Sequence, residues 1–487
     1  MIIIYIFVML YGLSMLAILI YSLAQANLLF HFLRYQRSPP APRAMAYDLP
    51  MVTVQLPIFN ERYVVERLID AVATLNYPAN KLEIQVLDDS TDITRQLIQN
   101  KIKEYPQLNI QYVHREARQG FKAGALKEGL KMAKGEFVAV FDADFVPDPD
   151  FLMKTLPYFT QGRVGMVQTR WAHLNRDFSL LTKLQAFALD AHFFVEQVGR
   201  NRQGAFINFN GTGGIWRKEC ILDAGNWQDD TLTEDLDLSY RAQQKGWKFV
   251  YRPEIESPAE LPPVMSAIKS QQYRWTKGGA ECARKHLREV WSQPFSARIK
   301  LHAFAHLLNS SVFIAIMLGT ISSIPVWWAL QSDRIDASHF RYGAVFFIGF
   351  FIIACVYIVA FFYTNAGFWE KSRRIIWQLP LFLAVSMGLS LHNSVAVLEG
   401  LLGRKSAFIR TPKFNLEEKG KHWKTNSYLS VKMPLLAYME GLLALVFLSI
   451  AWMSLQSHVY FMLPFHVMLA VGYGLVFVTS YQSYARS

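Results

Sequence analysis

Cysteine is nearly absent from this chain: Cys220, Cys282 and Cys355 are the only three in 487 residues, and no two lie close together. That excludes a disulfide scaffold, a zinc knuckle and a paired redox site. Charge is also scarce. Asp, Glu, Lys and Arg make up 18% of the residues, against about 25% in soluble proteins. Hydrophobic residues reach 52% and the mean hydropathy is +0.14, which excludes a disordered polar chain. Acidic residues are the rarer sign, 38 against 50 basic ones, leaving a formal net charge of +12. Long apolar runs make a membrane, rather than nucleic acid, the better explanation for that surplus. The basic residues then mark cytoplasmic flanks, and no nucleic-acid partner is expected. The length is worth roughly three domains, and no internal repeat or low-complexity tract is visible.

Residues Ile2 to Phe30 carry no charge. A span needs about 20 apolar residues, so residues 1–33 are expected to form a transmembrane helix. A cleaved signal peptide would start basic, run shorter and end in a cleavage site. Arg34 and Arg37 place the end of the run in the cytoplasm, and 34–50, rich in Pro and Ala, reads as a linker. Further apolar runs lie at 301–330, 341–363, 375–402, 434–455 and 459–480, within a membrane region expected over 299–487. The 375–402 run has basic residues on both sides: Lys371, Arg373 and Arg374 before it, Arg404, Lys405, Arg410 and Lys413 after it. Its second half holds Ser390, His392, Asn393, Ser394 and Glu399. It reads as re-entrant or interfacial, which leaves five spans, with six as the alternative.

Between 51 and 260 hydropathy falls and short apolar runs alternate with helical patterns. Met51–Leu56, Leu82–Leu87, Gln111–His114 and Phe137–Phe141 read as strands. Glu61–Leu75, Ile93–Tyr105 and Lys122–Met132 read as helices. Such alternation predicts a mostly parallel sheet with helices on both faces. Ligands then sit beyond the carboxyl ends of the strands.

Acidic residues cluster at those ends. Asp88 and Asp89 follow the second strand, and Asp142 and Asp144 follow the fourth. If the chain turns at Ala143, the latter two offer hard oxygen ligands to a divalent cation beside a diphosphate. Thr233-Glu234-Asp235 opens a predicted helix, with Thr233 as its N-cap. Alone, each cluster reads equally as a polar turn, a solvated loop or a simple cap. Together in one α/β region they read as a site. Gln271, Arg274 and Trp275 fall in an amphipathic helix expected from about Val264 to Leu287, inside an interfacial segment 261–298. Arg suits phosphate oxygens and Trp offers a flat face for a sugar. The competing reading is a headgroup anchor.

The set Asp88-Asp89, Asp142-Ala143-Asp144, Thr233-Glu234-Asp235 and Gln271-x-x-Arg274-Trp275 resembles the D, D, D, QxxRW pattern of membrane-bound family 2 glycosyltransferases. These include cellulose synthase, the cellulose-synthase-like mannan and glucan synthases, hyaluronan synthase and chitin synthase. Phe408-Ile409-Arg410-Thr411-Pro412-Lys413 is similar to the FxVTxK gating loop of cellulose synthases, with Arg410 where that motif has Val. The resemblance implies an α/β GT-A, Rossmann-like nucleotide-sugar domain plus an α-helical transmembrane region, with 403–433 as a cytosolic gating-like loop.

The resemblance also implies roles. Asn60, Glu61, Asp88, Asp89, Lys122, Asp142, Gln271 and Arg274 bind the nucleotide sugar. Asp142 and Asp144 hold Mg²⁺ or Mn²⁺, and Asp235 is the general base. Asn210, Gly211, Thr212, Glu234 and Trp275 bind the acceptor, and Thr411 and Lys413 come from the gating loop. The expected donor is UDP-glucose, with GDP-mannose second. The expected product is a β-linked polysaccharide made processively with inversion and moved across the membrane. A non-processive enzyme that glycosylates a lipid is the alternative, and an inactive scaffold a distant third. Membrane lipid is an implied partner and an accessory subunit is left open. The implied location is a bacterial inner membrane, or a Golgi or plasma membrane, with the catalytic domain cytosolic.

Overall fold

A computed structural model describes residues 2–35, 48–160, 162–335, 347–363, 367–416, 432–458 and 460–484. Seven strands form one sheet: β1 Val52–Ile58, β2 Leu82–Asp88, β3 Asn109–His114, β4 Phe137–Val140, β5 Val164–His173, β6 Gly214–Arg217 and β7 Lys248–Ala259. Their spatial order is β3-β2-β1-β4-β6-β5-β7. All pairs are parallel except those of β6, which runs antiparallel to both β4 and β5.

The central strands are buried on both faces, as parallel strands covered by helices must be. Val52, Val54, Leu56 and Ile58 face one core, shared with Val65, Leu68, Ile69 and Val72 of helix Val65–Ala73. Each such aliphatic side chain contributes about 1.5–3 kcal/mol by leaving water. The opposite face of β1 is polar: Thr53 Oγ1 donates to Glu83 Oε2 (2.6 Å) and Gln55 Nε2 to Gln85 Oε1 (3.0 Å). Helix Phe121–Met132 covers the second face with Ala123, Ala125, Leu126 and Leu130. The four parallel strands read from sequence for the first half of the sheet match β1, β2, β3 and β4 within a residue or two. β5, β6 and β7 were not read at all. Four-residue β6 is buried and shows no alternation to find.

The single helix Met265–Ser292 follows the sheet and carries Gln271, Arg274 and Trp275. Among the described residues, four helices are long and apolar enough to cross a membrane: Ile2–Arg34, Asn309–Gln331, Leu435–Gln456 and Leu463–Tyr484. The 301–330 run divides into helix Ala297–Leu307 and helix Val312–Gln331. The 375–402 run is a pair, Trp369–Gly388 and Ser390–Leu401, bent by 49°, which makes a fifth crossing if counted as one. The five spans expected from sequence instead included 341–363. Its described helix, Phe347–Tyr363, has 17 residues and is apolar throughout, and residues 336–346 before it lie outside the described residues. Most of the expected 34–50 linker and residues 417–431 of the gating-like loop lie outside the described residues.

Among the contacts that join the long apolar helices to the rest of the chain, two are close and buried. A Cβ at Gly199 would stand 2.4 Å from the Leu28 carbonyl oxygen, so only glycine lets helix Gln197–Arg202 lie against helix Ile2–Tyr35. Lys269, on the Met265–Ser292 helix, meets Glu440 of helix Leu435–Gln456 at 2.5 Å, and both side chains are almost wholly buried. Removing one member of a buried pair leaves the other charge uncompensated, at about 3–5 kcal/mol. Lys269→Met is therefore expected to lower the thermal midpoint in nanodiscs, and Lys269→Met with Glu440→Met to recover most of it. A single variant as stable as the parent would refute this.

Candidate active site

The loops beyond β1, β2 and β4 build one corner of the site. After β1, the Asn60 amide donates to Ser90 Oγ (2.8 Å), and Asn60 Oδ1 accepts from the Thr91 amide (2.8 Å). Asp88 is fully buried at the end of β2. Its Oδ1 accepts from the Ser90 amide (2.9 Å) and its Oδ2 from Tyr112 Oη (2.7 Å), with His114 Nδ1 at 3.3 Å. Asp89 makes a two-point ion pair with Arg115, Nε to Oδ1 at 2.7 Å and Nη2 to Oδ2 at 2.5 Å. Arg115 also donates to the carbonyls of Gln119 (3.0 Å) and Phe121 (2.9 Å). Asp89 thus fixes the turn that starts helix Phe121–Met132 and, through it, places Lys122.

Lys122 stands at the centre. Its ammonium lies 2.6 Å from Asp142 Oδ1 and 3.8 Å from Glu234 Oε1, and it donates to the Gly211 carbonyl at 2.9 Å. The Asp142 amide donates to Thr212 Oγ1 (2.9 Å), binding the end of β4 to the 210–213 loop. Gly211 has φ +80, and a Cβ there would lie 3.1 Å from Asp235 Oδ2. Asp235 lies in the first turn of helix Glu234–Gln244. Thr233 occupies the N-cap position, but its side chain does not cap the helix; its hydroxyl lies 3.5 Å from Cys282 Sγ instead. Burial pushes the Asp235 carboxyl above its ordinary range, and neighbouring Glu234 adds to the rise against Lys122. Glu234 is raised by burial too, again opposed by Lys122.

Segment 408–416 lies across these loops. Phe408 stacks on Phe121 with ring centroids 5.8 Å apart. The Arg274 guanidinium sits 4.7 Å from the Phe408 ring centroid and donates to Thr411 Oγ1 at 2.7 Å. Arg410 pairs with Glu61 at 3.0 Å, and Lys413 with Asp144 at 2.6 Å. The Phe414 and Leu416 amides donate to Glu260 (2.9 and 3.3 Å). Burial pushes the Glu61 carboxyl up to about 7, with Arg410 and Lys413 opposing the rise. Arg410, the departure from the gating motif, has a specific partner here. Glu61 and Glu260 are both buried, and this segment supplies charge to the first and backbone hydrogen bonds to the second, which also pairs with Arg67 at 3.5 Å.

Asp142 and Asp144 each hold an ammonium in this structure. No group of three or more His, Cys, Asp or Glu side chains among the described residues is arranged to hold a metal. One observation does fit a cation there: Asp144 Oδ1 is buried and has no hydrogen-bond partner.

Behind Asp235 a cavity of about 1220 Å³ runs from the site into the helices that follow. Asn210, Trp275 and Asp235 line its inner end, and Tyr11, Phe350 and Phe461 line it farther out. Gln272 lines it, whereas Gln271, the residue singled out from sequence, is only half-buried on the same helix. Trp171 was missed. It stands 6.4 Å from Trp275, centroid to centroid, at 53°, and its indole nitrogen approaches the Thr212 carbonyl at 3.4 Å. His192 was missed as well. An aromatic at the carboxyl end of a strand was the one available signal for Trp171; His192 had none.

Gly211→Ala is expected to keep the fold. It costs about 1–2 kcal/mol of left-handed backbone strain and crowds Asp235, so turnover should fall much further than stability. Thermal unfolding and turnover measured on one preparation test this; full turnover would show that the 211 position is not close-packed on Asp235.

Comparison with known proteins agrees with this geometry. Residues 50–278 match the model of glycosyltransferase like family 2. Glucomannan 4-beta-mannosyltransferase 1 of Oryza sativa subsp. japonica is 37% identical over 374 residues, covering 75% of this chain and 69% of that protein. Glucomannan 4-beta-mannosyltransferase 2 of Arabidopsis thaliana is 45% identical over 398 residues, covering 77% of this chain and 69% of that protein. Among solved structures, mannosyltransferase PcManGT from Pyrobaculum calidifontis, in complex with GDP-Man and Mn²⁺, matches with a TM-score of 0.51 at 20% identity. That match covers 72% of this chain and 100% of the other, and it shows a shared fold. The chain belongs to the family 2 glycosyltransferases of the cellulose-synthase-like type, an α/β GT-A enzyme with added apolar helices.

Proposed function

We propose that this chain is an inverting, metal-dependent, processive mannosyltransferase. It extends a β-linked mannan or glucomannan from a nucleotide-diphospho-sugar and passes the product through its own helices. The observation that carries this reading is the position of Asp235. It stands between the Lys122–Asp142 corner and the cavity that continues among the apolar helices. The relatives are mannosyltransferases by name, which favours GDP-mannose and leaves the UDP-glucose expectation without support.

In this reading the nucleotide lies over Asn60, Glu61, Asp88 and Asp89, with Lys122, Gln271 and Arg274 near the diphosphate. The acceptor lies along Asn210, Gly211, Thr212, Glu234 and Trp275. Asp235 takes the proton of an acceptor hydroxyl as that oxygen bonds to the anomeric carbon. The bond to the diphosphate oxygen breaks on the opposite side, so an α-linked donor gives a β-glycoside. Arg274 meets the charge that develops on the leaving group. Asp142 and Asp144 would hold Mg²⁺ or Mn²⁺, which neutralises the diphosphate when bound; the unpartnered Asp144 Oδ1 supports this. Thr411 and Lys413 close over the nucleotide from segment 403–433. The domains then run as a membrane helix to residue 33, a linker to 50, the GT-A domain to 260, interfacial helices to 298 and the membrane region beyond. The enzyme is an integral membrane protein with a cytosolic active site, in a bacterial inner membrane or a Golgi or plasma membrane.

One observation favours a second reading, a lipid glycosyltransferase: the outer cavity is lined by apolar side chains. The protein in nanodiscs, given Mn²⁺ and a panel of labelled nucleotide sugars, separates the two. Label from GDP-mannose retained as polymer is expected. Label moving wholly into organic solvent would replace the polymer reading by the lipid one.

Asp235→Asn should lower turnover by about a hundredfold or more while GDP-mannose binding persists. In the parent enzyme a raised Asp235 stays protonated to a higher pH than an ordinary aspartate. kcat/KM should therefore fall as pH drops through a value above about 3.9. A rate that is flat across that acid limb, or an active asparagine variant, would remove Asp235 as the base.

A further inference from the structure

His192 lies in a turn of π-helix, Ala191–Glu196, between helices Leu180–Asp190 and Gln197–Arg202. Such wide turns are rare and collect at functional sites. This one brings His192 to the wall of the large cavity, alongside Asn210 and Asp235.

The surrounding hydrogen bonds leave Asn210 Nδ2 without a partner and His192 Nε2 with a single 3.4 Å contact. His192 Nδ1 lies 3.1 Å from Glu196 Oε2. Glu196 Oε2 also accepts from Arg200 Nη2 (3.0 Å), and its Oε1 accepts from Gln25 Nε2 of the first helix (2.9 Å). Burial opposes the Glu196 charge, but Arg200 and His192 outweigh it and hold the carboxyl below its ordinary range. The carboxylate accepts the hydrogen bond from Nδ1–H, which leaves Nε2 as the acceptor nitrogen of that tautomer. The nearest polar atom to Nε2 is Asn210 Oδ1, at 3.4 Å. That oxygen is another acceptor, already receiving Asn208 Nδ2 (2.7 Å) and Gln197 Nε2 (3.3 Å). Those two donors also fix the amide's orientation, which leaves Asn210 Nδ2 buried and unpartnered. A buried unpaired donor costs about 1–3 kcal/mol.

An acceptor nitrogen and a donor nitrogen, side by side on the cavity wall near Asp235, match a hydroxyl group, which donates and accepts at once. We propose that His192 and Asn210 together hold a hydroxyl of the acceptor sugar, and that His192 is a specificity-determining residue of the acceptor site. Glu196 and Gln25 are its positioning residues, so the first helix takes part in acceptor binding. The inference rests on the acceptor-cavity reading above.

The test uses the full chain in nanodiscs with GDP-mannose, Mn²⁺ and β-1,4-linked mannohexaose as acceptor. His192→Ala is expected to raise the acceptor KM about tenfold, the factor for one lost hydrogen bond, with the donor KM within twofold. Glu196→Gln should give a smaller rise of the same kind. His192→Gln, which keeps a side-chain acceptor, should recover part of the loss, and product chains should shorten in the same order. An unchanged acceptor KM in His192→Ala overturns the proposal. So does a parallel rise of donor and acceptor KM that His192→Gln does not relieve. Parent enzyme that labels lipid and never mannohexaose defeats the polymer reading. Parent enzyme that labels mannohexaose no better than His192→Ala defeats only the role of the histidine.

Discussion

Crowded carboxylates govern this structure. Glu61, Asp142, Asp144, Glu234 and Asp235 converge beyond the carboxyl ends of the sheet, in a place where solvation is poor. Each must gain a cation or keep a proton. Lys122 comes from the helix after β3, Arg274 from the long Met265–Ser292 helix, and Arg410 and Lys413 from segment 408–416. Neutralising the cluster therefore ties together segments as far apart in the chain as Glu61 and Arg410. The carboxyls whose folded values are raised favour the fold as neutral acids. That contribution is lost as pH rises through those values, unless a bound cation replaces the proton.

The long helix carries this constraint to the membrane side. Arg274 turns to segment 408–416, while its neighbour Trp275 lines the cavity. Five residues earlier Lys269 is pinned to Glu440. A shift of the apolar helices thus moves the guanidinium and the indole together. The first helix makes a second connection, through the close approach at Gly199 and the Gln25–Glu196 hydrogen bond. The site is consequently held both from the loops beyond the sheet and from the long apolar helices.

Much of the first half of the sheet was legible because buried parallel strands announce themselves as short Val- and Ile-rich runs followed by acids. The same patterning located Asp142, Asp144 and Asp235 at strand and helix ends. Local rules failed where a long-range partner outweighed them. Thr233 had the right type and place for a cap, yet its side chain is drawn into the packing against Cys282 and Gly278. Hydropathy located the apolar runs but does not register the 49° bend between Trp369–Gly388 and Ser390–Leu401. Trp171 and His192 carry no motif; each joins the cavity only when β5 and the π-turn are folded beside the Met265–Ser292 helix.

By itself the sequence determined the fold class, the family and the set of acids and bases, because these follow from periodicity and from residue types at fixed spacing. Tertiary structure alone decided which charges meet. It paired Arg410 with Glu61 and Lys413 with Asp144, committed Asp89 to Arg115, and set His192 beside Asn210 on the cavity wall. The physical reason is range. Propensity and hydropathy act over a few residues, whereas desolvated charges choose partners by proximity in space, which the chain sets only once it is packed.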